Sequence, residues 1–203
     1  LATAMMVVPG PEAALRLLSL AQMETGAAVS TFELIHRQGL LFLDEAFPDL
    51  RQPFAGRPEW SVLIELGLPP GIDPETALGN IYTAGDAAGL VSDAVLAASG
   101  AQRRALWDLR EMIPEANRKI GAIASHDISL PLTEIASFLP RAAAAVAAVG
   151  PFRINCFGHL GDGNLHYNIF PPKGETRDAY RGYADEITRG IHDIVRDHGG
   201  SFS

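Results

Sequence analysis

Short apolar runs alternate with amphipathic segments through the first half of the chain. Four runs have the length and residue types of β-strands: Ala2–Val8, Val29–Ile35, Trp60–Leu66 and Val91–Ala97. Helical patterns lie between them, from Pro11 to Gly26, over Gly39–Ala46, and from Asp73-Pro74 to near Gly89. The order of the strands and the two longer helices, β-α-β-β-α-β, is that of a ferredoxin-like unit.

The second half of the chain begins with another helix and then repeats this order without its closing strand. Its predicted elements are a helix over Gln102–Lys119, a strand over Gly121–Leu130, a helix over Leu132–Val149, a hairpin, and a helix over Arg177–His198. Pro140 is expected to kink the middle helix or to split it at Leu139. The pattern predicts an α+β fold of two ferredoxin-like units, each with an antiparallel sheet and helices on one face, the second truncated at the C-terminus.

The predicted hairpin contains a glycine-rich turn between two apolar runs, Phe152–Phe157 and Leu165–Phe170. Asp162-Gly163 is typical of a two-residue type I′ turn, in which both central residues need positive φ. That turn pairs His159 with His166 on one face, with Cβ atoms about 4.5–5.5 Å apart. A wider loop would change the pairing and could still bring the two rings together.

Two imidazoles placed in this way could bind one metal ion, with nitrogen donors about 2.0–2.1 Å from zinc. A tetrahedral protein site needs three or four ligands, and the nearest further candidates are His126, Asp127 and Asp162. None of these has a compelling spacing. The histidine pair could instead be only a polar surface patch, and the spacing alone does not decide for a metal site.

The composition is that of an ordinary globular chain, since 47% of the 203 residues are apolar and 20% are charged. No run reaches about 18 uninterrupted apolar residues, so no membrane span is expected. The net charge of −8 argues against a nucleic-acid partner. Cys156 is the only cysteine, which excludes an internal disulfide and favours a reducing, cytoplasmic location.

Both ends of the chain suggest a segment of a longer protein. The chain starts at Leu1, with neither an initiator Met nor the basic region of a signal peptide. It ends at Ser203, just after Gly199-Gly200 stops a helix and a new segment begins.

Three segments, in order along the chain, resemble those of one enzyme family. They are Trp107–Glu111, His126–Pro131 and Gly158–His166. The family is that of the FAD-linked 2-hydroxy-acid oxidoreductases of the vanillyl-alcohol-oxidase type. It includes D-lactate dehydrogenase, the flavin subunit of glycolate oxidase and D-2-hydroxyglutarate dehydrogenase. The resemblance covers the whole chain, residues 1–203, and is to the C-terminal substrate-binding or cap domain of those enzymes.

The resemblance implies roles for four residues. His159 and His166 would hold a divalent metal, usually zinc. Arg110 would grip the substrate carboxylate, and Asn168 would be a polar residue on the substrate side. The third metal ligand and the catalytic histidine base of the family belong to a Glu-His-Gly segment expected beyond Ser203, so no catalytic residue is assigned within the chain. Without the resemblance, Arg110 would be interpreted as a surface helix residue, and Asn168 could be a solvent-facing strand residue.

The resemblance also implies a reaction and partners. A flavin-dependent dehydrogenase would oxidise a 2-hydroxy acid of the D-lactate, glycolate or D-2-hydroxyglutarate type to the 2-oxo acid. Hydride would pass to FAD while the metal acts on the substrate hydroxyl. An FAD-binding domain upstream of Leu1 would hold most of the cofactor, so the chain alone is expected to be inactive. The sequence is compatible with a homodimer without specifying one.

Two positions depart from the pattern of D-2-hydroxyglutarate dehydrogenases. Pro114 stands where those enzymes carry a hydroxyl residue, and Ser125 stands where they carry a lysine for the second carboxylate of the substrate. These departures weaken the assignment of a dicarboxylate substrate.

Two other functions remain open at this point. A non-catalytic ferredoxin-like module could use its sheet for binding or dimerisation. A metal-dependent hydrolase would need a third ligand and a general base within the chain, and no residue has convincing spacing for either role.

Overall fold

The computed structural model describes all 203 residues and contains eight strands and six α-helices. The strands are β1 (Ala2–Val8), β2 (Val29–His36), β3 (Trp60–Leu66), β4 (Asp93–Leu96), β5 (Ala124–Ser129), β6 (Arg153–His159), β7 (Asn164–Phe170) and β8 (Ser201–Phe202). The helices are α1 (Pro11–Thr25), α2 (Arg37–Ala46), α3 (Pro74–Ala87), α4 (Gly100–Ile120), α5 (Leu132–Val149) and α6 (Ala184–Asp197). Two 3₁₀ segments span Leu160–Asp162 and Arg177–Tyr183.

Local signals set the ends of the helices. Pro11 occupies the first turn of α1, and Gly26 follows its last turn in the left-handed conformation, with φ of 60°. Asp73 caps α3 by accepting hydrogen bonds from the backbone N–H groups of Glu75 and Thr76, at 3.4 and 3.1 Å. These are the boundaries that the sequence pattern predicts.

All eight strands form one antiparallel sheet in the order β4-β1-β3-β2-β6-β7-β5-β8. The strands of each unit lie in the order fourth, first, third, second. This order is β4-β1-β3-β2 in the first unit and β8-β5-β7-β6 in the second. The α+β fold with two ferredoxin-like units is therefore confirmed. We expected a sheet in each unit, whereas the units join edge to edge through β2 and β6.

The four helices of the ferredoxin-like units, α1, α3, α5 and α6, pack on one face of the sheet over a core of 35 buried residues. This is the arrangement that the sequence predicts. The other two helices add a layer that we did not expect, because α2 and α4 cover part of the opposite face. A second core of 13 buried residues lies beneath them. It includes Phe42 of α2, Ile113 of α4 and Phe157 of β6.

Pro140 was expected to kink α5 or to split it at Leu139, and the split is wrong because the helix is continuous from Leu132 to Val149. Packing explains the tolerance, since Phe138, Leu139 and Ala142 are buried in the larger core and hold the flanking turns in place. By length and composition alone α5 could cross a membrane, with a mean hydropathy of 1.4. In this fold its apolar stripe packs against the sheet.

The turn of the β6–β7 hairpin differs from the predicted one. Leu160–Asp162 forms a 3₁₀ turn, and Gly163 follows with φ of 71°. The last pair of the ladder is His159 with Asn164, so the predicted pairing of His159 with His166 is wrong. The physical reason is Leu160, which is fully buried and draws the chain into the core before it reverses.

The second unit also has the start of a closing strand, where we expected none. Ser201 and Phe202 form β8 and pair with Ser129 and Ile128 at the edge of the sheet. The predicted helix over Arg177–His198 begins as a 3₁₀ segment and becomes α-helical at Ala184.

Candidate functional site

The two histidines lie on the same face of the sheet. His159 pairs with Asn164 and His166 pairs with Phe157, which places the histidines on a diagonal two residues apart. Diagonal neighbours lie about 7–8 Å apart, within reach of large side chains. Both histidines line one cavity of about 300 Å³, together with Asp127. The shift in pairing by two residues therefore keeps the rings on a common surface, because side chains alternate with a period of two.

A carboxylate lies against the Nδ1 atom of each histidine. Asp127 is hydrogen-bonded to His166, whereas Oε1 of Glu33 lies at ion-pair distance from His159 without an aligned hydrogen bond. A neutral imidazole that donates its Nδ1–H to a carboxylate keeps its lone pair on Nε2, as metal-binding histidines do. The side chains of His159 and His166 are 55% and 36% exposed, so both rings are accessible to a ligand.

Arg110 reaches the same region from α4. Its Nε and Nη2 atoms donate to Oε2 of Glu33 at 2.9 and 2.7 Å. The guanidinium also lies over the ring of Phe157, 5.2 Å from the centroid, and the ring of His166 packs 4.8 Å from the same phenyl group. Arg110 is buried, so the interpretation as a surface helix residue is wrong.

Asn168 lines a second cavity, of about 370 Å³, on the same face as the two histidines. Its Oδ1 accepts a hydrogen bond from the backbone N–H of His126 at 3.2 Å. Pro114 and Ser125, the two positions that depart from the family pattern, line this cavity as well. His166 is shared between the two cavities, which makes them adjacent compartments of one site.

The second cavity is basic. Arg118 and Arg177 line it and no aspartate or glutamate does, in a chain whose net charge is −8. Arg118 pairs with Glu115 on the helix surface, whereas Arg177 has no carboxylate partner. The methylene groups of Arg177 pack against Gly121, which directs the residue along this wall. Such a compartment favours an anionic group.

His126, a candidate third ligand, lies on the opposite face of the sheet. It is buried, and its Nδ1 is 3.3 Å from Nε2 of His192 on α6. Burial, reinforced by the neighbouring His192, lowers the pKa of His126 from 6.5 to about 4, so the ring is neutral near pH 7. Alternation along β5 accounts for the separation, since His126 and Asp127 must point to opposite faces.

The structure contains no group of three histidine, cysteine, aspartate or glutamate side chains that could hold a metal ion. Asp162, the remaining candidate, lies exposed in the turn. The two histidines that were predicted to bind a metal therefore lie close together. None of the candidate residues from the sequence joins them as a third ligand.

Glu33 is the residue of this site that the sequence analysis missed. A signal was present, because a single charged residue interrupts the apolar run Phe32–Ile35 in a predicted strand. Such a residue must find a partner when its strand is buried. Which partner it finds could not be read from the sequence, since Glu33 and Arg110 are 77 positions apart.

Comparison with known proteins shows the family of the chain. The whole chain, residues 1–203, matches the family described as FAD linked oxidases, C-terminal domain. Mitochondrial D-2-hydroxyglutarate dehydrogenase from Arabidopsis thaliana is 29% identical over 188 residues, which are 93% of this chain and 32% of that relative. D-2-hydroxyglutarate dehydrogenase from Stutzerimonas stutzeri (strain A1501) is 35% identical over 116 residues, which are 57% of this chain and 25% of that relative. The chain thus spans about a third or less of these relatives.

A solved structure of alkyldihydroxyacetonephosphate synthase has a TM-score of 0.51 to this chain and covers 98% of it, or 39% of the other chain, at 10% identity. That likeness shows the shared fold alone. Because the family match extends over every residue, the chain belongs to the FAD-linked oxidases, as their C-terminal domain.

Proposed function

We propose that this domain binds and orients a 2-hydroxy acid for oxidation to the 2-oxo acid by the FAD of its parent protein. The observation that carries the proposal is the convergence of Arg110, His159 and His166 on one face of the sheet, around Glu33 and Phe157. These groups match the two functional ends of such a substrate, an α-carboxylate and an α-hydroxyl. The names of the curated relatives support the same class of reaction.

Arg110 would hold the α-carboxylate. Glu33 binds the guanidinium side-on, through Nε and Nη2. No side-chain hydrogen bond uses Nη1, so the edge formed by Nη1 and Nη2 keeps two parallel donors for a bidentate carboxylate. Fixing the carboxylate in this way orients the α-carbon of the substrate relative to the histidines.

The two histidines would hold a divalent metal, most simply zinc, through their Nε2 atoms. The carboxylate beside each Nδ1 fits this role, because an acceptor there favours the tautomer that a metal-binding histidine needs. Two protein donors leave positions for further ligands. When bound, the metal would supply Lewis acidity and lower the pKa of the substrate hydroxyl.

The family match implies FAD, and in the enzymes that the chain resembles a separate domain binds most of the cofactor. We therefore propose that FAD is held by the remainder of the parent protein and accepts the hydride there. The contribution of this chain is to bind and orient the substrate.

The basic cavity supports a substrate whose far end is also anionic, as in D-2-hydroxyglutarate. Arg177 offers a positive charge without a carboxylate partner in the compartment next to His166, and Arg118 adds one that it shares with Glu115. They would replace the lysine that is absent at Ser125, so the departures at Pro114 and Ser125 do not by themselves exclude a dicarboxylate. Asn168 lines this compartment beside His166 and would contact the substrate there.

The proposal is tested by Arg110→Lys in the full-length parent protein, with Arg104→Lys as the matched control. Neither arginine lines the two cavities, but Arg104 lies exposed on the same helix and, unlike Arg110, contacts neither Glu33 nor Phe157. Losing the bidentate geometry should raise the KM for the 2-hydroxy acid by about 10- to 100-fold, because a charged hydrogen bond contributes about 1.5–3 kcal/mol. Equal KM values for the two variants would contradict the assignment of Arg110. A non-catalytic module would instead leave full function in His159→Ala.

A further inference from the structure

Glu33 touches both the arginine and one histidine of the candidate site. Its Oε2 accepts from Nε and Nη2 of Arg110 at 2.9 and 2.7 Å, and its Oε1 lies against Nδ1 of His159. The carboxylate is completely buried. A buried carboxylate is costly unless charged and hydrogen-bonding partners surround it. Arg110 satisfies Oε2, whereas Oε1 has only the close Nδ1 of His159 and no aligned hydrogen bond.

The three residues come from three separate elements. Glu33 lies on β2 of the first ferredoxin-like unit, and His159 lies directly opposite it on β6 of the second. Arg110 comes from α4, the helix that connects the units and packs over this part of the sheet. The position of Glu33 in the β2–β6 register therefore decides whether Arg110 and His159 can approach the same carboxylate.

We propose that Glu33 is a positioning residue, which fixes the tautomer of His159 and the orientation of Arg110. This inference rests on the proposed oxidation of a 2-hydroxy acid. An ionised carboxylate can only accept, so its closeness to Nδ1 of His159 favours the tautomer with the proton on Nδ1 and the lone pair on Nε2. The same carboxylate holds Arg110 side-on and leaves the Nη1 and Nη2 edge free.

A purely structural role, in which Glu33 only docks α4 on the sheet, has a matched comparison in Glu65. Glu65 lies on β3 and holds the same helix, accepting from Nε1 of Trp107 at 2.9 Å and lying 3.5 Å from Nη1 of Arg103. It touches neither Arg110 nor His159. A variant at Glu65 therefore reports the effect of loosening α4 without changing the partners of the site.

The test compares Glu33→Gln with Glu65→Gln in the full-length parent protein. The amide at position 33 can accept from Arg110 only by turning its NH₂ group toward His159, which forces Nδ1 to become an acceptor and moves the proton to Nε2. In metal-free protein labelled with ¹⁵N-histidine, the His159 signals, assigned by their loss in His159→Gln, should change tautomer in Glu33→Gln alone. The affinity for Co²⁺ should fall by about 10- to 100-fold in the same variant.

Steady-state kinetics then distinguish the role of Glu33 from the proposed oxidation of a 2-hydroxy acid. The KM for the 2-hydroxy acid should rise about tenfold or more in Glu33→Gln and stay within about twofold of wild type in Glu65→Gln. If Glu33→Gln does not fold, Glu33→Asp is compared with Glu65→Asp by Co²⁺ affinity and KM, because aspartate remains an acceptor while the shorter side chain withdraws it from its partners. Equal tautomers in the two Gln variants, or equal Co²⁺ affinities and KM values in the two Asp variants, would overturn the role of Glu33. A wild-type protein that oxidises no 2-hydroxy acid would instead overturn the proposed function, while the tautomer still reports on Glu33.

Discussion

Glu33 and His159 face each other across the β2–β6 pair, at the junction between the two ferredoxin-like units. The candidate site is therefore assembled from both units and from the helix that connects them. The first unit supplies the buried carboxylate, the second supplies both histidines, and α4 supplies Arg110. A change that shifts one unit against the other should disturb the site even when it touches none of these residues.

We expect Gly163→Ala to destabilise the β6–β7 turn and Gly161→Ala to be tolerated. Gly163 has φ of 71°, and a Cβ there would lie 2.1 Å from the carbonyl oxygen of Leu130. A Cβ at Gly161 meets nothing within 4 Å. The strained conformation alone costs on the order of 1–3 kcal/mol, and the backbone clash adds to it. Thermal unfolding of the two variants measures the difference, and equal melting temperatures would show that the turn is not held in this form.

Asp127→Asn should weaken metal binding by about 10- to 100-fold, because Asp127 holds Nδ1 of His166. The control is Asp162→Asn, which removes an equal charge from the exposed turn nearby without touching either histidine. Titration with Co²⁺, followed by absorption, compares the two variants with wild type. Equal losses in both would attribute the effect to local charge and not to the Asp127–His166 contact.

The fold was predictable to a large extent because apolar periodicity and local signals specify its elements. Pro11, Gly26 and Asp73 mark helix ends by chemistry that acts within a few residues. What could not be predicted depends on distant packing. The β6–β7 turn follows the burial of Leu160, and the union of two sheets into one follows the β2–β6 pairing, which joins residues more than 100 positions apart.

Arg177→Gln should raise the KM for a dicarboxylate 2-hydroxy acid about tenfold and leave the KM for D-lactate nearly unchanged. Arg177 lines the basic cavity and has no carboxylate partner, so its charge is available to the far end of the substrate. Arg181→Gln is the control, since Arg181 lies in the same 3₁₀ segment, pairs with Asp178 and does not line the cavity. A uniform effect on both substrates would contradict a role in selecting the second acid group.

Stability should fall as the pH is lowered from about 6.5 toward about 4 because His126 is buried in its neutral form. Burial and the nearby His192 lower the pKa of His126 from 6.5 to about 4, against a small opposing effect of Asp127. The unfolded chain therefore takes up a proton in this range that the folded chain does not, so the stabilisation is complete above pH 6.5 and is lost below it.

The size of this effect is about 1–2 kcal/mol between pH 7 and pH 5, from about 1.4 kcal/mol per pKa unit. His126→Leu removes the titrating group from its buried position, so its melting temperature should decline less over this range than that of wild type. Parallel declines in the two proteins would show that His126 is not buried in its neutral form.

The candidate site was predictable where short motifs carry it. The Gly158–His166 segment pointed to His159 and His166, and the Trp107–Glu111 segment pointed to Arg110. The residues that complete the site have no such motif. Glu33 could be noticed as a charge within an apolar strand, whereas the basic cavity depends on Arg118 and Arg177 meeting in space from different parts of the chain.

The most direct test of the central claim is anaerobic reduction of the flavin in the full-length parent protein. The absorbance of oxidised FAD should bleach on mixing with D-2-hydroxyglutarate, D-lactate or glycolate, and Arg110→Lys should need about 10- to 100-fold more substrate for the same rate. Reduction by dithionite serves as the control that the flavin is competent. If dithionite bleaches the flavin and none of the three 2-hydroxy acids does, the account is contradicted.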